Sequence, residues 1–384
     1  MQLLFESLFN GVAIGSVLLM AALGLAIVFG LMGVINLAHG ELIMLGAYTT
    51  YVVQLIFKLP AFEPVYNLYV LVAIPLAFLV SGVVGILLER TVIRRLYGNP
   101  LETLLATWGV SLILQQFVRS VPLATAAGVV LALVVGFSLP LVLPAPLLEG
   151  PRARLVRAGC WATSALAGVL LAGGLASQIS RIARATSRNV DVTAPQWMRG
   201  GLEWADLTLP VPRLVIIVMT VVSVLGVTLF LNRSVWGTRI RAVTQNRSMS
   251  DCLGIPTDTV EVLTFGIGSG LAGIAGVAVS LLGSVGPNVG GSYIVGCFMV
   301  VVLGGVGNLF GAVLASFAIG WLTDLIGAGR LLTLWPAMPS PLAATVKFFA
   351  TTSMAQVMVF ALIVLFLQFR PAGLFPQKGR MVEA

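Results

Sequence analysis

Charge is scarce in this 384-residue chain: Asp, Glu, Lys and Arg together make up only 9% of it. A soluble domain of this length carries more than that, so a water-exposed globule is excluded. Lysine occurs three times, at Lys58, Lys347 and Lys378, preceded by Phe, Val and Gln. None can be the lysine of a Gly-Lys-Ser/Thr phosphate loop, so the chain does not hydrolyse ATP by that route. Histidine occurs once, as His39, with Glu41 nearby and no nucleophile at motif spacing, which leaves no basis for a catalytic triad. Cys160, Cys252 and Cys297 have neither disulfide nor metal spacing, and inert packing is expected of them. No positively charged segment precedes the first apolar run, so no cleavable signal peptide is expected.

What the chain has in abundance is apolar surface, at 58% of residues. Apolar runs of about 20 residues recur, each long enough to cross the hydrocarbon core. The expected fold is all-α and polytopic, with about 8–10 transmembrane helices including discontinuous or re-entrant pieces. Spans are expected over 8–32, 42–57, 68–88, 101–118, 213–231, 261–283, 309–326 and 354–369, with two more apolar runs at 121–143 and 155–175. The net charge of +8 rests on arginines scattered between spans. That placement suits a membrane border and not nucleic acid.

Four stretches stand out. The first, residues 232–256 (NRSVWGTRIRAVTQNRSMSDCLGIP), sets four arginines between two very apolar segments. Asn246 can cap a helix, Gly254 suits the left-handed residue after one, and Pro256 stops it. That outlines about two turns, Arg247 to Leu253, with Met249, Cys252 and Leu253 at helical spacing on one side. It reads either as a docking knob for a soluble partner or as an ordinary basic loop that fixes topology. The second is the span from Leu101 to Val118. Thr103, Thr107, Ser111 and Gln115 fall four residues apart along one side of it, bordered by Trp108 and Gln116. Such a stripe either bonds to neighbouring helices or lines a path for a polar solute.

The third and fourth are breaks. GVINLAHGE (33–41) is polar for its position and contains Asn36, His39 and Glu41. His39 suits a helix-terminus hydrogen bond, with an intramembrane proton relay as the other reading. GSVGPNVGG (283–291) reads as a turn. The apolar run from Tyr293 to Leu303 is too short to cross unaided, and Gly304, Gly305, Gly307 and Asn308 interrupt it before the next run. This suggests a discontinuous helix near a solute path, against the plainer reading of a tight hairpin at the membrane surface. Arginines at 89–100, 232–260 and the C-terminus put those segments inside. Parity then puts 178–212 outside, despite Arg181, Arg184 and Arg188, and the N-terminus outside as well.

With these stretches in view, the chain resembles permeases of ATP-driven importers of the branched-chain amino acid and urea type. The matching residues are GLAIVFGLMGVINLAHGELIMLGAY (24–48), NPLETLLATWGVSLILQQ (99–116), NVDVTAPQWMRGGLEW (189–204), LGIP (253–256), GSGLAGIAGVAVSLLGSVGPN (268–288), FMVVVLGGVGNLFGAVLA (298–315) and RPAGLF (370–375). Residues 99–116 and 189–204 point within that family to the urea-transport permease. The resemblance implies a single transmembrane permease domain over 1–384 in a bacterial plasma membrane. It implies as partners a second homologous permease, two ATPase subunits that carry ATP and Mg, and an extracytoplasmic solute-binding protein. It also implies a cytoplasmic coupling loop, 232–260, whose docking residues would be Asn246, Arg247, Ser248, Met249, Ser250, Asp251, Cys252, Leu253 and Gly254. Many such importers have Glu-Ala-Ala before the spaced glycine, where this chain has Ser248, Met249 and Ser250. The match passes from Arg119 almost directly to Asn189, so 121–188 looks like an inserted apolar hairpin.

The expected function is therefore a non-enzymatic import subunit for urea or a short-chain amide. A branched-chain amino acid carrier is the nearest alternative, and a passive urea channel the alternative from another class. The stripe favours urea, because hydroxyls and amides can replace the water shell of a small neutral solute. An amino acid would want an apolar pocket and something for its two charges.

Overall fold

The computed structural model describes residues 2–58, 60, 63–120, 128, 132, 159–160, 162–170, 189–204, 207–330, 347–348 and 350–375. The inserted hairpin expected over 121–188 lies almost entirely outside the described residues. Eleven α-helices are used here: α1 (Gln2–Met32), α2 (His39–Phe57), α3 (Tyr69–Thr91), α4 (Pro100–Ser120), α5 (Val211–Arg233), α6 (Val235–Gln245), α7 (Arg247–Cys252), α8 (Thr257–Leu282), α9 (Val289–Gly304), α10 (Leu309–Gly327) and α11 (Thr352–Phe369). Seven helical segments among the described residues are long and apolar enough to cross a membrane, and α9 and α11 are shorter apolar helices. The all-α polytopic fold is thus as expected. The addition is a short antiparallel hairpin of Gly201–Trp204 with Leu207–Pro210.

Burial separates the helices into a centre and a rim. The apolar windows of α1, α2 and α8 are about four-fifths buried, whereas those of α4 and α5 are mostly exposed. The central contacts come in reciprocal pairs: α1 lies on α10 as α8 lies on α3, α2 on α8 as α9 on α1, and α2 on α3 as α9 on α10. The end of α1 at Leu31 and Met32 adjoins the start of α8 at Val260, Glu261 and Thr264, so these two helices run in opposite directions. The trios α1–α3 and α8–α10 are therefore an inverted repeat, an arrangement that transporters use to set a solute site near mid-membrane.

Close approach of backbones holds the repeat together. Gly24 of α1 faces Gly268 of α8, and a side chain at either would run into the other's backbone. A Cβ on Gly46 would run into the backbone of Gly273, one on Gly273 into Ala77 of α3, and one on Gly40 would lie 2.5 Å from the carbonyl oxygen of Gly290. Without a hydrophobic force to drive helices together in lipid, such small-residue contacts supply the packing. At one face, Ser7 Oγ donates to Asp324 Oδ2 at 2.9 Å, and Arg330 reaches the same carboxylate at 3.4 Å. The opposite face carries Arg90, Arg94 and Arg95 after α3, and Arg233, Arg239, Arg241 and Arg247 around α6 and α7.

The first break lies where the sequence suggested, and the second does not. Gly304, Gly305, Gly307 and Asn308 do not interrupt a spanning helix. Gly304 ends α9, and the Asn308 side chain caps α10 by accepting from the Gly311 N–H at 3.1 Å. A Cβ on Gly304 would meet Gly311 and Ala312, so α9 and α10 turn back on each other as a tight hairpin. The re-entrant breaks are 33–38, as expected, and 283–288 in place of 304–308. His39 is not part of the first one: it opens α2, three residues earlier than the span expected from Leu42.

Filling the central crossing is expected to destabilise the fold. Gly40→Val should cost about 1–3 kcal/mol, as overpacking does, and lower the thermal melting point in detergent. Gly226→Val, at a position in α5 with nothing within 4 Å of the added carbon, should not.

Candidate functional site

Two places join chemistry to geometry: the paired breaks and the short helix α7. In the first break the chain leaves α1 and re-enters beside its middle. His39 Nε2 is 2.9 Å from the carbonyl of Ala21, well inside α1, so it ties the start of α2 to the middle of α1. Asn36 caps the turn, its Oδ1 accepting from the Ala38 N–H at 3.0 Å. The second break is closed from the segment that begins at Asn189. Val190 and Val285 exchange both backbone hydrogen bonds, at 2.8 and 2.7 Å.

The stripe on α4 joins both breaks. Thr103 bonds its own turn, to the carbonyls of Leu96 and Asn99. Thr107 accepts from the Leu37 N–H of the first break at 3.2 Å, and its own proton faces the Leu104 carbonyl of its helix at 3.1 Å and the Ile35 carbonyl of the break at 3.4 Å. Ser111 donates to Glu41 Oε1 at 3.1 Å. Gln115 donates to the Pro287 carbonyl at 3.3 Å and to Asn288 Oδ1 at 2.9 Å, both in the second. Arg119, one turn further on, also reaches Asn288 Oδ1. Trp108 points away from this seam and is exposed. Whereas Thr103 bonds the turn before its helix, Thr107, Ser111 and Gln115 bond outside their own helix. In a medium with no water to satisfy freed backbone groups, that is what permits the breaks.

Sequence reasoning missed what segment 189–198 does. Thr193 takes Gln54 Nε2 at its carbonyl and hydroxyl, the Tyr69 hydroxyl at its carbonyl (2.8 Å), and bonds the Tyr66 hydroxyl at 2.9 Å. Trp197 donates to the Asn67 carbonyl at 2.8 Å. The segment is a strap over the ends of α2 and α3. The signal available was an out-of-place glutamine, Gln54, inside an apolar helix.

The second place is the arginine-rich face. Asn246 Oδ1 accepts from the Met249 N–H at 2.9 Å, as a helix cap does. Gly254 has φ +78°, its N–H bonds the Asp251 carbonyl, and the Ile255 N–H bonds that of Ser250. This paired closure is the glycine-dependent helix end expected from the sequence. Arg247 grips Glu261 at the base of α8 with two bonds, 2.6 and 3.1 Å, and lies over the Tyr97 ring. Those bonds to Glu261 hold the Arg247 guanidinium above its ordinary pKa, and burial pushes the Tyr97 hydroxyl up. Arg94 pairs with Asp258, so the α3–α4 turn is clamped to the same helix base. Asp251 accepts from Thr257 at 2.7 Å, while Ser250 is buried. Met249 and Leu253 are left 59% and 74% exposed, with Cys252 exposed beside them. Cys252 is therefore not the packing residue expected, whereas Cys160 and Cys297 are buried.

Comparison with known proteins fixes the family. The profile described as branched-chain amino acid transport system / permease component matches residues 7–120 and 104–367. The chain belongs to that permease family. It is 25% identical over 378 residues to the high-affinity branched-chain amino acid transport system permease protein LivH of Salmonella typhimurium, covering 96% of this chain and 94% of the relative. It is 26% identical over 371 residues to BraD of Pseudomonas aeruginosa, whose name carries the same description, with the same coverage. LivH of Escherichia coli K12 is 25% identical over 376 residues. No solved structure matches. The permease is a multi-pass plasma-membrane protein and a transport subunit, not an enzyme.

Thr107→Val leaves the Leu37 N–H without its acceptor. The expected loss is about 1 kcal/mol, read as a lower melting temperature of the permease in detergent. Ser120→Ala, whose hydroxyl bonds carbonyls of its own helix, should leave melting unchanged.

Proposed function

We propose that this permease is the membrane-spanning subunit of an ATP-driven importer of branched-chain amino acids. The observation that carries the reading is the family match together with relatives of that printed description covering nearly the whole chain. This replaces urea or a short-chain amide as the favoured solute. The two segments that pointed to urea, 99–116 and 189–204, serve as the seam across the breaks and the strap over α2 and α3. The charges that an amino acid asks for are also at hand, in Glu41 midway along that seam and Arg119 at its end.

The positive-inside rule assigns the arginine-rich face to the cytoplasm, which leaves the N-terminus and the strap outside. On that face α7 stands as the coupling helix, residues 246–254, for one of two ATPase subunits that bind ATP and Mg. The support is its geometry: Arg247, Ser250 and Asp251 are turned to the permease, and Met249 and Leu253 are left bare for a groove. A second permease and an external binding protein complete the assembly, and residues 121–188 are an insert dispensable to the path.

Two measurements test this. Proteoliposomes holding the assembled transporter should import labelled leucine, with ATP required; import of urea and not leucine, or leucine entry without ATP, would refute the reading. Leu253→Asp should abolish copurification of the ATPase at unchanged permease yield, since a buried charge lacks a partner in an apolar groove. Gly254→Val should weaken it through the strained left-handed position.

A further inference from the structure

Four polar atoms between residues 36 and 48 are buried without a hydrogen-bond partner: Asn36 Nδ2, His39 Nδ1, Glu41 Oε2 and the Tyr48 hydroxyl. Glu41 is the most consequential. Its side chain is 3% exposed in a helix that lies within the membrane, and its one partner is Ser111 on the other oxygen. An intramembrane carboxylate marks a pathway by default, because its burial costs so much. Glu41 and Tyr48 are seven residues apart on α2, so they share a face. Arg119 acts electrostatically on both. It is itself held by the amide oxygen of Asn288, and among the described residues it has no carboxylate within 4 Å. The seam thus holds an unpaired acceptor at Ser111 and an unpaired cation about two turns along α4.

We propose that Glu41 receives the α-ammonium group of an amino acid in transit, and that Gln115 and Arg119, at the entry to α9, receive its carboxylate. An ammonium group brings three donors, and Glu41 Oε2 and the Tyr48 hydroxyl are acceptors that lack one. Ser111 and Gln115 are one helical turn apart, about 5.4 Å, which a zwitterion with a hydrogen bond of about 2.8 Å at each end covers. The carboxylate would also face the first turn of α9, whose free N–H groups favour an anion. A substrate that supplies both charges would neutralise both orphans at once, whereas urea supplies neither. This site rests on the reading of the chain as an amino acid permease.

The test uses the full transporter in proteoliposomes, with labelled leucine and the loaded binding protein, and reads leucine imported per ATP hydrolysed. Glu41→Gln keeps the shape and the Ser111 contact but removes the charge, and should lower that ratio about tenfold or more. Glu41→Asp should restore part of it. An unchanged ratio in Glu41→Gln overturns the site. If that variant fails to assemble, Arg119→Gln, at an exposed position, decides: a raised KM for leucine supports the site, and an unchanged KM overturns it. Wild-type transporter that imports no leucine refutes the substrate reading itself, an outcome separate from any variant.

Discussion

A backbone N–H or carbonyl left unpaired in hydrocarbon costs several kcal/mol, and this chain opens its backbone twice inside the membrane. The rest of the structure depends on how those two openings are closed. Helix propensity cannot do it, because residues 33–38 and 283–288 are not helical. Side chains of the first break itself and of α4, together with one backbone pairing, do it instead. Asn36 closes part of its own turn, Thr107 and Gln115 reach over from α4, and the backbone of Val190 pairs with that of Val285. That is why α4, the least packed of the spans in the first half, carries the most regular polar spacing.

The second constraint is distance. A half-helix that starts at mid-depth must enter between neighbours already in place, and only glycine leaves room. Gly24 on Gly268, Gly46 on Gly273 and Gly40 on Gly290 cluster around the entry points of α2 and α9. The inverted repeat follows from the same packing: each half supplies a long helix, α1 or α8, against which the other half's helices pack.

The legible parts of the sequence were those in which one local signal sufficed. Asn246, Gly254 and Pro256 mark α7 because capping and the left-handed helix end are chemistry of adjacent residues. Span positions followed from apolar length, and the long helices α1, α3, α5, α8, α10 and α11 lie close to where that length put them. The breaks were harder for a physical reason. GSVGPNVGG and GGVGN look alike as strings, rich in glycine and asparagine, yet the first is a re-entrant break and the second a hairpin. What separates them is where the flanking helices lie, and that is set by contacts hundreds of residues away. The stripe was visible as a pattern, but its partners at Leu37, Glu41, Pro287 and Asn288 were not. The solute was least legible, because the residues that suggested urea are those that brace the breaks.

One helix connects the two candidate places. The base of α8 is fixed to α7 and the α3–α4 turn through Glu261 and Asp258, and its middle forms the glycine contacts with α1 and α2. A helix is stiff along its length, so a displacement of α7 reaches Gly268 and Gly273 as a rigid-body shift and not as local bending. Glycine faces offer no interdigitating side chains to resist sliding. With an ATPase docked on α7 as proposed, the same shift would change the spacing between the entry to α2, where Glu41 sits, and the strapped turn at Asn288. The ion pair of half-exposed Arg247 with buried Glu261 then has a role beyond stability: it ties α7 to α8 so that the two move together.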